Sequence, residues 1–202
     1  SGKLSKAGKA IFSGKLGALT GLIPGGFLIT GIGTLLKQLL QVDSVFAQIA
    51  TNAGLVGKNL AMVQNNVVEA TSGLYAFGIN LEDAGKQAGA LVDSLGNAEL
   101  VTSDLIKNTS LIAKATGMSA QEAGELTKAL VKGFGATAED VESFTNNMMS
   151  FAATSGVNAR KVMRDISNDS NLTSIYLGRG EDALMRSAVL AAKMGKSMAE
   201  QN

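Results

Sequence analysis

The chain has 202 residues, 18 Lys and Arg against 17 Asp and Glu for a formal charge of +1, and no Cys, His or Trp. Without His it lacks the commonest general base and metal ligand, and without Cys it has neither a disulfide nor a thiolate ligand. The dominant residues outside the 24 glycines are good helix formers, so the expectation is an all-α structural protein that is not an enzyme and carries no cofactor or metal.

Residues 1–15 are small and basic and read as a lead-in. Up to Val42 the only charged residues are lysines (Lys3, Lys6, Lys9, Lys15 and Lys37), and the first acid is Asp43. A basic head beside an apolar run is what an anionic membrane surface attracts. The first residue is Ser, and the chain is read as a piece of a longer polypeptide or a processed product.

Residues 16–36 carry no charge and approach the length that spans a bilayer core, about 20 residues. Gly17, Gly21 and Gly25 are spaced for close helix approach in lipid. Pro24 with Gly25 and Gly26 divides the run, which is then one kinked span or two short apolar helices meeting at a turn. The membrane-interacting residues expected here are Leu19, Leu22, Ile23, Pro24, Phe27, Leu28, Ile29 and Ile32. The alternative is an apolar segment buried inside an oligomer.

Residues 37–77 read as one long helix. Ile32, Leu39, Phe46, Ala53, Leu60, Val67 and Leu74 fill heptad position a. Leu35, Val42, Ile49, Val56, Val63, Ala70 and Phe77 fill position d. A seam this sustained is a coiled-coil pattern, and β-branched d positions beside Leu or Phe at a favour a homo-oligomer, a trimer first. The flanking positions are small or amide, and Gly54 and Gly57 weaken the helix by about 1 kcal/mol each relative to Ala, so the seam is open to interruption there. The competing reading is one or two amphipathic helices packed within a monomer.

Residues 78–202 read as a helical-hairpin bundle. A signal recurs at Gly78-Ile-Asn80, Gly117-Met-Ser119, Gly135-Ala-Thr137 and Gly156-Val-Asn158. The glycine closes one helix in a left-handed conformation, and Asn80, Ser119, Thr137 or Asn158 caps the next through its side-chain oxygen. An acid in the first turn, from Glu82 and Asp83, Glu122, or Glu139 and Asp140, completes a capping box or favours the helix dipole, while the fourth instance lacks that acid. Amphipathic runs follow each signal. A further helix is expected at about 104–115 and a last one at about 182–198.

The acidic pairs Glu82/Asp83, Glu139/Asp140 and Glu181/Asp182 sit where first-turn partners of a helix dipole belong, not as a catalytic dyad. The oxygen-rich stretch 165–171 lacks the Gly and Glu of a calcium loop. Arg160, Lys161 and Arg164 read as a solvated helix face.

The stretch LIAKATGMSAQEAGELTKALVKGFGATAEDVESFTNNMMSFAATSGVNARKVMRDI, residues 111–166, resembles the helical repeats of phage tail tape measure proteins. In that family helices opening with Gly-hydrophobic-Ser/Thr-x-x-Glu follow one another, and apolar Gly-rich segments lie among long helices. Such proteins are usually much longer, so the resemblance implies a segment of one. It further implies a place in the virion, in the tail lumen or tip, with tail tube and tail-tip or baseplate hub proteins as partners. DNA is met only in passage, and the host membrane is met during infection. An expected role in tail assembly, tail length and genome ejection follows. The rival readings are a non-tail membrane-active helical protein (a holin, toxin or pore former) and a scaffold module whose apolar run is core.

Overall fold

The computed structural model describes residues 43–51, 54–168, 175–176 and 179–197. The membrane-interacting candidates Leu19 to Ile32, and the seam residues Leu35, Leu39 and Val42, lie outside the described residues. Every described element is helical, which bears out the all-α expectation, and there is no strand among the described residues. No helix among them is long and apolar enough to cross a membrane.

Helix α1 covers residues 43–51 and α2 covers Gly57–Leu74, followed by the 3-10 turn Tyr75–Phe77. Then come α3, Leu81–Leu95, the turn Ala98–Leu100, and α4, Ser103–Thr116. Helix α5, Ala120–Lys128, runs on as a π-helical turn, Ala129–Phe134. Helices α6, Ala138–Ser155, α7, Ala159–Asn168, and α8, Glu181–Lys193, follow, with residues 175–176 also helical between α7 and α8.

The recurrent signal works as a joint. Gly78, Gly117, Gly135 and Gly156 take φ between 69° and 73°, which closes the preceding helix where a side chain would be strained. The next residue turns inward: Ile79, Met118 and Ala136 are buried and Val157 partly so. The third residue caps the helix that follows. Asp83 N–H donates to Asn80 Oδ1 at 2.9 Å, and Asn80 N–H donates back to Asp83 Oδ2 at 3.3 Å. Ser119 and Glu122 repeat the exchange at 3.1 and 2.8 Å, and Thr137 and Asp140 at 3.2 and 2.8 Å. Asn158 Oδ1 accepts from Lys161 N–H at 3.2 Å. All four expected caps are in place.

The single helix expected over 37–77 is not formed. Residues 54–56 are non-helical, flanked by Gly54 at φ 63° and Gly57 at φ 59°. The seam is dispersed accordingly. Ile49 is buried, Phe46 and Leu60 are partly buried, and Val63 and Val67 are fully buried within this chain, whereas Val56 is 79% exposed. The physical reason is that α2 turns its Val63, Val67, Ala70 and Leu74 face onto α3 and α4, so the apolar stripe is consumed inside the chain.

The helices pack mainly on alternate neighbours. The pairs α2–α4, α3–α5, α4–α6, α5–α7 and α6–α8 all touch, and Val45 and Ile49 of α1 lie over Gly85 and Gly89 of α3. Odd and even helices therefore form two rows, with successive pairs such as α2–α3, α3–α4 and α4–α5 closing the space between them. The core runs along this space and includes Leu91, Ile106, Leu126, Met148, Met163 and Leu184.

Candidate functional site

The polar chemistry of the chain is concentrated where one helix meets the start of the helix two further on. The Asn66 amide of α2 donates to the Val101 carbonyl, just ahead of α4, at 2.8 Å. The Gln87 amide of α3 donates to the Ala120 carbonyl at the first residue of α5, at 3.1 Å. The Asn108 amide of α4 donates to the Ala138 carbonyl at the first residue of α6, at 2.9 Å. Three times, a largely buried amide fixes the height of the next helix in its own row. Partly buried groups of this kind must be hydrogen-bonded, so each amide specifies one register.

The α3–α5 contact is the tightest of these. A Cβ at Gly124 would meet the Ala90 carbonyl oxygen at 3.2 Å and Ser94 Oγ at 3.1 Å, so a side chain here would push the helices apart by a few tenths of an ångström. Ser94 Oγ donates to Glu125 Oε1 at 2.9 Å, and Lys128 Nζ donates to Glu125 Oε2 at 2.9 Å. Burial pushes the Glu125 carboxyl up, and the hydrogen bonds from Lys128 and Ser94 outweigh it, leaving the group below its ordinary value.

Glu122 carries two duties. Its Oε2 accepts from Ser119 N–H and its Oε1 lies 2.6 Å from Arg164 Nε of α7. The backbone hydrogen bond from Ser119, and then the Arg164 guanidinium, hold its carboxyl below the usual range. Arg164, its side chain 40% exposed, thus holds an ion pair at the edge of a face on which Arg160 and Lys161 are exposed. Arg160 is exposed, with Nη1 3.3 Å from where a Cβ at Gly117 would sit. Asp140 is lowered by the Thr137 backbone hydrogen bond. Glu181 is raised, first by burial and then by the nearby negative charges of Asp140 and Asp182.

Two shallow grooves lie on the surface. One of about 310 Å³ runs between α3 and α4, lined by Ile79, Lys86, Gln87, Ser110, Lys114 and Met118. The other, about 370 Å³, lies over α3 beside α1 and includes Val45, Ile49, Gly85 and Gly89. Among the described residues no group of three acids is placed to share a metal ion. The acidic pairs Glu82/Asp83, Glu139/Asp140 and Glu181/Asp182 all stand in first turns, as the dipole reading expects. Among the described residues the large apolar side chains most exposed to solvent are Val56, Tyr75 and Phe77 around α2, and Leu190 and Met194 at the end of α8.

Sequence reasoning missed three features of this arrangement. Thr102 caps α4, with Oγ1 accepting from Leu105 N–H at 3.2 Å, but no acid follows at the third position to announce it. The amide rungs at Asn66, Gln87 and Asn108 have a faint signal, an amide at the margin of an apolar helix face. The π-helical turn after α5 has no signal beyond Gly133 and Gly135.

No family profile, curated protein or solved structure matches the chain.

Proposed function

We propose that this chain is a structural segment of a phage tail tape measure protein, placed near the tail tip rather than in the measuring shaft. The observation that carries the reading is the Gly-hydrophobic-cap signal repeated at 78, 117, 135 and 156, through which short helices follow one another, as in the helical repeats of that family. Stacked short helices suit a specialised end. A shaft that measures length needs about 1.5 Å of rise per residue along one axis, and helices lying side by side forfeit most of it. The partners on this reading are tube and hub subunits, with DNA passing but not bound specifically. The apolar residues 16–36 contribute to the path through the host membrane during genome ejection.

The test is localisation. An antibody raised against residues 78–168 should label assembled tails at one end in immuno-electron microscopy. In-frame removal of those residues from the parent gene should abolish or alter tails while heads still assemble. Normal tails from the deletion, with no label on virions, would remove the reading.

A second reading, a membrane-active helical protein outside any tail, is favoured by one observation: the uncharged run 16–36 lies between Lys15 and Lys37 behind an all-lysine head. Flotation of the full chain on anionic liposomes, beside a truncation beginning at Gln41, separates membrane action from its absence. Labelling of tails then decides between the two readings.

A further inference from the structure

Helix α2 begins unlike α3, α4, α5 and α6. Those four start on Asn80, Thr102, Ser119 and Thr137, each accepting a backbone N–H through its side chain. The N-cap of α2 is Val56, which has no acceptor, and its first turn holds no acid. A helix start without these features leaves its first N–H groups to solvent, as expected of a helix whose sequence is written to continue further back. Val56 is also the most exposed large apolar side chain among the described residues, at 79%.

The heptad pattern runs through the break undisturbed. Phe46, Ala53 and Leu60 keep one column, and Ile49, Val56 and Val63 the other. What interrupts the helix is Gly54 and Gly57, both at positive φ with open space around them. Glycine adopts right-handed helical angles as readily as these, so nothing steric fixes the bend. Meanwhile α1 is held down by Val45 and Ile49, which rest on Gly85 and Gly89 of α3. Val45 Cγ1 lies 2.6 Å from where a Gly85 Cβ would stand, and Ile49 Cγ1 lies 3.2 Å from the corresponding point at Gly89.

We propose that α1, residues 43–51, is a folded-back arm that swings off α3, joins α2 as one continuous helix, and pairs through Phe46, Ile49 and Val56 with the same arm of other copies of this chain. A second copy is the occupant that the stripe fits. The same a/d columns extend in sequence through Ile32, Leu35, Leu39 and Val42, and Ala50, Asn52 and Asn59 flank them without charges that would repel an identical helix. In the folded-back state Ile49 is buried against α3 and unavailable, while Val56 waits in solvent. The arm thus has two packings for one set of side chains, and the glycine pair is the hinge between them. The inference stands on these residues alone and is independent of any place in a tail.

The chain has no cysteine, so an engineered pair reports cleanly. A Cβ at Gly85 would lie 3.6 Å from Val45 Cβ, within the separation of about 3.5–4.5 Å that a disulfide needs. The full chain carrying Val45→Cys and Gly85→Cys is compared oxidised and reduced by sedimentation. The oxidised form should stay monomeric at concentrations where the reduced form associates. Adding Gly54→Ala and Gly57→Ala should raise association at least tenfold and slow formation of the disulfide. Val56→Lys, at a position exposed in the folded-back state and with no acceptor to cap α2, should abolish association and leave the thermal melt of the array nearly unchanged. The proposal is overturned if the oxidised lock associates as strongly as the reduced chain. It is equally overturned if the alanine pair leaves the chain monomeric with the disulfide forming as fast, or if association survives Val56→Lys.

Discussion

Arg164 of α7 reaches the first turn of α5 and sets its guanidinium Nε 2.6 Å from Glu122 Oε1, while the other oxygen of that carboxylate holds the Ser119 N–H. One acid thus closes a capping box and ties two alternate helices together. Replacing Glu122 by Ala should cost about 1–2 kcal/mol, because it removes the box and the ion pair at once. Arg164→Ala should cost less, about 0.5–1 kcal/mol, because the box survives. Urea unfolding of both single variants and the double variant checks this, and the double should fall short of the sum.

The amide rungs should behave as separate units. Asn66→Ala, Gln87→Ala and Asn108→Ala each leave a carbonyl near a helix start without its donor. Each should lower stability by about 1–2 kcal/mol. The rungs belong to different helix pairs and share no partner, so the three losses should add to within about 0.5 kcal/mol. Equilibrium unfolding of the single and triple variants reads the sum directly.

Acid should loosen the array, with one residue acting in the opposite sense. Glu122, Glu125 and Asp140 titrate below their ordinary values in the folded chain. The stability they contribute is present above the unfolded carboxylate range and is lost as pH falls through their folded values. Glu181 is raised by burial and by Asp140 and Asp182. Its contribution is present below its unfolded value and is lost as pH rises through its folded one. Glu181→Gln should therefore melt slightly higher than the parent near neutral pH, by about 1–2 °C after solvent screening. That gap should close near pH 3, as thermal scans across the range will show.

Two glycines should fail for different reasons. Gly124→Ala drives a methyl into the Ala90 carbonyl and Ser94 Oγ, and should cost about 1–3 kcal/mol through overpacking of α5 on α3. Gly135→Ala meets nothing within 4 Å but must hold φ 73°, at a cost of about 1–2 kcal/mol. Adding Ser94→Ala should recover part of the first loss and none of the second. Melting curves of the four variants decide it.

Local instructions were legible in the sequence and tertiary ones were not. Asn80, Ser119, Thr137 and Asn158 could be read as caps because each stands two residues after a glycine that closes the preceding helix, within the reach of a short pattern. Thr102 escaped because Leu100, not a glycine, stands two residues before it. The heptad columns from Ile32 to Phe77 are real in the sequence, yet a two-glycine bend outweighs periodicity in deciding where a helix stops, and the a/d residues of α2 are taken by α3 and α4. Arg164 looked like one base among three on a solvated face. Its partner Glu122 lies on a helix two places back, and no spacing rule spans that distance. The amide rungs were hidden for the same reason.

The alternation of contacts has a consequence for how such a chain comes apart. Because a helix meets chiefly its next neighbour and the one beyond, a terminal helix can open without disturbing the far end of the row. Opening should therefore spread from an end, helix by helix, with each joint of glycine, apolar residue and cap marking where a step can stop.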